Sequence, residues 1–221
     1  ALPIWIPSVY FAMGLPFIAL AQASSLMFKN MGISDTEITF WTSLIIIPWT
    51  LKPLWSPILE MFKTKKEFVV ATQFVSGISF GLVAFSLHLP DFFSYSIAFM
   101  AIIAFSGATH DIATAGVYLN ELSLENQAKY VGVQGMFYNV AKLVSAGALV
   151  YVAGALEEVY GVAMAWTIVM LIYGALMIVL SMYHARVLCS PWTRCAVAEY
   201  LSMPRLLPTR FLACSISCLE M

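Results

Sequence analysis

The chain has few charged residues, and its cysteines are confined to one end. Asp, Glu, Lys and Arg make up 10% of its 221 residues, whereas a soluble domain has about 25%. No cysteine occurs before residue 189, and the four that follow are Cys189, Cys195, Cys214 and Cys218. They include no Cys-x-x-Cys pair and have no neighbouring pair of histidines, so their spacing fits no zinc motif. Composition therefore argues against a soluble fold, and the spacing argues against a metal site.

Motifs for other functions are also missing. No Gly-x-x-x-x-Gly-Lys-Ser/Thr loop is present, which argues against direct ATP coupling. The apolar segments contain no histidine cluster and no paired-carboxylate metal site, so we expect neither an enzyme nor a cofactor. No basic cluster with interleaved aromatic residues indicates a nucleic-acid partner. The first apolar run is too long for a cleavable signal peptide.

The dominant feature is hydrophobicity, with 61% hydrophobic residues and a mean hydropathy of +0.86. About 20 apolar residues in a helix cross the hydrocarbon core of a bilayer. Six stretches approach or exceed that length: 3–28, 37–59, 68–88, 93–118, 130–155 and 162–184. Short connections imply antiparallel neighbours. The sequence therefore predicts an all-α transmembrane fold, a six-helix bundle in contact with membrane lipids.

Lysine and arginine placement predicts the orientation of this bundle. Alternate connections on one side hold five basic residues, and those on the other side hold only Lys29. The five are Lys63, Lys65, Lys66, Lys129 and Arg186. Because cytoplasmic loops are enriched in Lys and Arg, we expect a multi-pass protein with its N-terminus in the cytoplasm.

The chain changes character after Leu188. Residues 189–221 hold three prolines, three arginines and all the cysteines, without sustained periodicity. Two explanations stay open: a cytoplasmic extension, or a shifted reading frame that leaves a disordered tail. The abrupt change at one point favours the shifted frame. We therefore divide the chain into a six-span unit, 1–188, and an atypical tail, 189–221.

Two ionisable residues lie deep within predicted spans. Asp111 falls in the fourth span and Lys142 in the fifth, and their depths overlap at about 1.5 Å per residue. Small and polar residues line the helical stripe around each of them. Because charges in a membrane are costly, these two side chains are expected to face a partner or a cavity. An Asp111–Lys142 ion pair that only locks the bundle and a proton or substrate site are both compatible with the pattern.

Other polar groups in the spans are weaker candidates. His110 precedes Asp111 but points about 100° away on a helix, so it is either a packing residue or a proton carrier. The second span contains Pro48, Pro53 and Pro57, which should distort it. The remaining candidates for a cavity or its inner edge are Tyr10, Gln22, Tyr138, Asn139 and Lys52.

Four segments resemble the major facilitator superfamily, and within it the AmpG-type muropeptide permeases. They are GLPFIALAQASSLMFKNMGIS, LKPLWSPILEMF, FSGATHDIATAGVYLNEL and GVQGMFYNVAKLVSAGALVYVAG. The resemblance implies the N-terminal half of a twelve-span transporter in a bacterial inner membrane. It implies proton-driven import of anionic glycopeptides, with Asp111 as the proton-coupling residue and Lys142 as its partner or an anion contact. It also implies an inner gate formed by Lys52, Glu60, Lys63, Lys65 and Lys66.

Departures from the family pattern keep alternatives open. Glu60 replaces an Asp, His110 replaces a Gln, and Ala115 stands where these permeases tend to have a second Asp. A changed carboxylate count alters charge recognition, so a related transporter of acetyl-CoA or another anion is a second candidate. Because six spans form only half of such a transporter, the protein needs a C-terminal half or a second copy of itself. A non-transporting membrane fragment is the third possibility.

Overall fold

The computed structural model describes residues 4–61 and 65–188, apart from the side chain of Glu60. The tail, 189–221, and Lys63 lie outside the described residues. Within them every regular element is a helix. The helices are α1 (Trp5–Asn30), α2 (Asp35–Thr50), α3 (Lys52–Met61), α4 (Lys65–Ser86), α5 (Phe92–Glu121), α6 (Leu124–Tyr160) and α7 (Val162–Val187).

Five of these helices are long and apolar enough to cross a membrane: α1, α4, α5, α6 and α7. The second predicted span is not one continuous helix, because it is divided into α2 and α3 at Leu51. Their 16 and 10 residues are each too few to cross a bilayer as one straight helix. Pro53 cannot donate the hydrogen bond that would continue the helix, and its ring opposes the carbonyl of Trp49. The predicted proline distortion is therefore an interruption at a single residue, Leu51, whose N–H still donates to the Ile47 carbonyl at 3.0 Å.

Local sequence signals set the ends of the other helices. Ser34 accepts a hydrogen bond from the Glu37 backbone N–H at 3.4 Å and donates to its carboxylate at 2.7 Å. With Ser34 as its N-cap, α2 begins at Asp35, two residues before the predicted span. Gly161 separates α6 from α7 with a φ of 79°, a left-handed conformation that favours glycine.

Side-chain pairs identify the two ends of the bundle. At one end Lys66 pairs with Glu121 at 2.9 Å, and we call this the lysine end. At the other end Glu157 accepts hydrogen bonds from Asn30 at 2.8 Å and Trp166 at 2.6 Å. Lys66 is near the start of α4 and Glu121 ends α5, so these consecutive helices run antiparallel as the short connections predict. Asn30 ends α1 and Glu157 is near the end of α6, so these two helices, which are distant in sequence, run parallel.

The core lies where α4 packs against α5 and α7, and where α1 packs against α6. Trp166, Tyr173 and Phe80 are among its largest fully buried side chains. A Cβ on Gly14 would lie 2.7 Å from that of Ala141, so only glycine permits this approach of α1 to α6. The close contact brings Tyr138 of α6 beside α1.

Candidate functional site

A buried ion pair joins α3 to α5 at the break in the second span. Lys52 Nζ lies 2.5 Å from Asp111 Oδ2. The Asp111 side chain is 8% exposed and that of Lys52 28% exposed. Trp49 Nε1 donates to the same carboxylate oxygen at 3.0 Å. One carboxylate oxygen thus receives both a charged and a neutral donor.

The break at Leu51 explains why two donors reach one atom. Trp49 ends the regular part of α2 and Lys52 begins α3, so the bend turns both side chains toward α5. Gly107 lies one turn before Asp111 on α5, and a Cβ there would approach the Trp49 ring to 2.8 Å. The missing side chain therefore gives the indole room to lie against α5 and reach the carboxylate.

The second oxygen of the carboxylate is differently placed. Asp111 Oδ1 is buried and has no hydrogen-bond partner among the described residues, and the same holds for Thr114 Oγ1 one turn further along α5. The site therefore holds a buried acceptor atom that can take up a proton without losing a hydrogen bond to the described residues.

The predicted pairing of Asp111 with Lys142 is wrong, because the carboxylate pairs with Lys52. Lys142 instead lies over the ring of Tyr138, with Nζ 4.7 Å from the ring centroid. Equal depth in two helices does not fix the direction in which each side chain points. The prolines of the second span predicted a distortion but not its position at Leu51 or the direction of Lys52, so assigning Lys52 to the gate missed its contact with Asp111.

Lys52 also borders the outside of the bundle. An open groove of about 600 Å³ is lined by Lys52, Pro53, Ser56 and Pro57. Lys52 thus contacts the buried carboxylate and also lines this groove.

The other predicted cavity residues are distributed around this centre. Tyr10 is buried and packs edge-on against Tyr118, with 6.1 Å between ring centroids. Gln22 and Asn139 are exposed, and Asn139 donates to the Gly135 carbonyl of its own helix at 2.9 Å. The structure therefore places Tyr10 at the centre, and Gln22 and Asn139 on the outer surface of the described bundle.

At the lysine end, the predicted gate residues are only partly described. Lys66 pairs with Glu121 of α5, a carboxylate that the sequence interpretation did not consider. Lys65 is buried, and its aliphatic stem lies over Gly116 of α5. Lys63 and the side chain of Glu60 lie outside the described residues, so their gate role stays a prediction.

His110 belongs to a second polar group that sequence reasoning missed. Its Nε2 lies 2.9 Å from Gln73 Nε2, and Gln73 Oε1 lies 2.9 Å from His184 Nδ1. All three residues are buried. Sequence analysis missed three residues of these two sites, and they come from three separate helices: Trp49, Gln73 and His184. For Gln73 and His184, the available signal was a polar side chain within an apolar span.

The described residues were also compared with the patterns of a metal site and of a hydrolase active site. Within residues 4–61 and 65–188, no three His, Cys, Asp or Glu side chains are grouped as metal ligands would be. One Gly-x-Ser-x-Gly sequence, residues 77–81, lies inside α4. It is not on the strand-to-helix turn that exposes a nucleophilic serine in hydrolases.

Comparison with known proteins points to transporters. Two relatives, both named "Putative transporter AmpG 4", come from Rickettsia felis and Rickettsia conorii, and they are 24% and 23% identical over 149 residues. Each match covers 63% of this chain and 35% of the relative, so the chain matches about a third of their length. An uncharacterised protein of Schizosaccharomyces pombe is 29% identical over 147 residues, 59% of this chain and 28% of that protein. No protein-family model and no solved structure matches the chain.

These matches and the apolar helices together describe a multi-pass membrane protein with distant similarity to transporters of the AmpG type. The two Rickettsia relatives are named as transporters.

Proposed function

We propose that the chain is part of a proton-coupled secondary transporter that imports anionic cell-wall muropeptides across a bacterial inner membrane. The buried Lys52–Asp111 ion pair carries this proposal. An ion pair inside an apolar bundle is a costly feature, because both groups lose hydration that their attraction only partly repays. Ionisable groups in membrane segments commonly mark the path of an ion or substrate.

The geometry supports a specific coupling step. A proton that binds Asp111 Oδ1 neutralises the carboxylate, which then attracts Lys52 less strongly. Lys52 borders the open groove, so its freed ammonium can bind an anionic group of the solute there. When proton and solute leave, the pair forms again. One proton thus compensates one negative charge, and neither Lys52 nor Asp111 is left alone in the membrane.

We further propose that transport requires a second membrane body, either further helices or a second copy of this chain. In the most apolar 18-residue stretch of α6, 22% of the residues are buried, whereas the corresponding share in α1 is 61%. Much of the surface of α6 is therefore uncovered by the described helices. Several α6 glycines have open space where a Cβ would be: Gly132, Gly135, Gly147 and Gly154. Glycines that no neighbour requires cost about 1 kcal/mol each in a helix, and small residues at a surface let another membrane helix approach closely.

The test is uptake into proteoliposomes that contain the full chain, with the outside acidified. We expect labelled anhydromuropeptide to accumulate inside the vesicles. A parallel measurement with labelled acetyl-CoA tests the alternative anion. Asp111→Asn should abolish accumulation driven by the pH gradient, whereas Asp35→Asn, an exposed carboxylate, serves as the matched control. Accumulation by Asp111→Asn at the wild-type level refutes the coupling role.

A second candidate, a membrane fragment that does not transport alone, is favoured by the partial coverage of the relatives. This candidate predicts that the isolated chain takes up neither anion and that it is a monomer in detergent. Uptake that appears only in samples that are dimeric would instead support a half-transporter that pairs with itself.

A further inference from the structure

A continuous chain of buried polar side chains joins four helices outside the ion-pair site. Gln73 of α4 lies between His110 of α5 and His184 of α7, at 2.9 Å from each. His184 Nε2 lies 2.9 Å from Ser8 Oγ of α1, and Ser8 Oγ is also 3.1 Å from the Trp5 carbonyl oxygen. Gln73 and His184 are 0% exposed and His110 is 3% exposed.

The chain of contacts extends from near the lysine end toward the middle of the bundle. Ser8 is three residues from the start of α1, and His110 is eleven residues from the end of α5. At about 1.5 Å per residue, these positions lie about 5 Å and 17 Å from the helix ends. The contacts therefore cover about 12 Å of depth and stop at the residue that precedes Asp111.

The chemistry of an amide restricts what the two imidazoles can do. A glutamine presents an acceptor oxygen on one side and a donor NH2 on the other. The ring nitrogen that faces the oxygen must carry a hydrogen, and the one that faces the NH2 must carry none. Rotating the amide by 180° exchanges these roles. Of His110 Nε2 and His184 Nδ1, only one can therefore carry a hydrogen in either arrangement.

We propose that His110, Gln73 and His184 form a proton-binding site that holds one proton, with the orientation of the Gln73 amide deciding which imidazole receives it. With the amide oxygen toward His184, that ring donates to Gln73 and can also donate to Ser8, whose hydroxyl then donates to the Trp5 carbonyl. This ring then accommodates a full positive charge. His110, facing the NH2, stays neutral. Rotation of the amide reverses the assignment.

The surroundings of the two rings differ. His110 precedes Asp111 on α5, and the charge of that carboxylate is compensated by Lys52. On its own helix, His184 has the Tyr183 ring at 5.2 Å. From α4 and α1 the contacts come from the neutral side chains Gln73 and Ser8. Both ring nitrogens of His184 have one of these partners, so a protonated ring there has both N–H groups hydrogen-bonded, and we expect the proton on His184 first.

The chain contains three histidines, which makes the experiment direct. The full chain is labelled with ¹⁵N-histidine in lipid nanodiscs, and the imidazole nitrogens are followed by NMR from pH 8 to pH 4. We expect His110 Nε2 and His184 Nδ1 to carry one hydrogen in total at every pH. As the pH falls, the two rings should take up one proton between them. The exposed His88, near the other end of α4, is the internal reference.

Gln73→Glu tests the role of the amide, since a carboxylate accepts hydrogen bonds from both rings together. Both facing nitrogens should then carry a hydrogen, and proton uptake by the two rings should rise from one to two. Simultaneous protonation of both rings in the wild-type protein overturns the proposal, as does the absence of uptake by either ring while the His88 and tryptophan signals remain native. Because the readout is proton occupancy, it stands or fails separately from the transport proposal.

Discussion

Replacing Lys52 by methionine removes the charged partner of a buried carboxylate while keeping a side chain of similar length. Loss of one partner from a buried ion pair typically destabilises a protein by about 3–5 kcal/mol, because the remaining charge is uncompensated. Lys52 is 28% exposed, and Asp111 Oδ2 keeps its hydrogen bond from Trp49. We therefore expect a smaller loss of about 2 kcal/mol in the free energy of unfolding.

For a protein of 150–250 residues, each 1 kcal/mol lowers Tm by about 2–4 °C, so the expected shift is about 4–8 °C. Thermal unfolding in detergent, followed by tryptophan fluorescence, measures it. Lys129→Met is the matched control, since that lysine pairs with Glu125 on the surface and its loss should cost less than about 0.5 kcal/mol.

A double-mutant cycle tests whether the pair itself is responsible. Replacing Asp111 by leucine in the Lys52→Met background removes the uncompensated charge, so the double variant should recover most of the lost stability. A Tm for Lys52→Met within 1 °C or so of the wild type contradicts the argument. Equal coupling of Asp111 to Lys142 in a parallel cycle would show that the wrong lysine had been assigned.

Three further changes have defined outcomes. Trp49→Phe removes one hydrogen bond to the buried carboxylate and should lower the unfolding free energy by about 1–2 kcal/mol in the same assay. Gly107→Val places a side chain against the Trp49 ring and should lower Tm. Gly132→Val meets open space and should leave the Tm of the isolated chain nearly unchanged. Equal effects of the two substitutions would contradict the close contact between Gly107 and Trp49. Lys66→Met removes a partly exposed ion pair at the lysine end and should cost less than about 1 kcal/mol, and a loss as large as that of Lys52→Met would show that this pair also stabilises the core.

Most helix positions could be read from hydrophobic runs, because each run must be about as long as the bilayer is thick. Several helices, such as α5 and α6, continue a few residues beyond the predicted spans, whereas α4 ends two residues before its predicted end. The exception is the second span. Its prolines signalled distortion, but proline is common enough in membrane helices that its presence did not specify a break at Leu51.

The candidate site was predicted in part. Asp111 stood out because a carboxylate in an apolar span is rare. Its partner was misidentified, since Lys52 and Lys142 both lie at compatible depths and the choice depends on helix rotation. Nothing in the linear sequence connects Trp49 to a carboxylate 62 positions away.

The sequence alone determined that residues 4–61 and 65–188 are helical, with several helices apolar enough to cross a membrane and a carboxylate at position 111. Composition and the length of apolar runs are local properties that the bilayer selects. Tertiary structure alone decided which lysine neutralises that charge and which oxygen stays open. It also placed Gln73 between two histidines from other helices. These contacts join residues 37 to 111 positions apart, and they arise from helix rotation, the break at Leu51 and glycine-permitted close approach, none of which hydrophobic periodicity encodes.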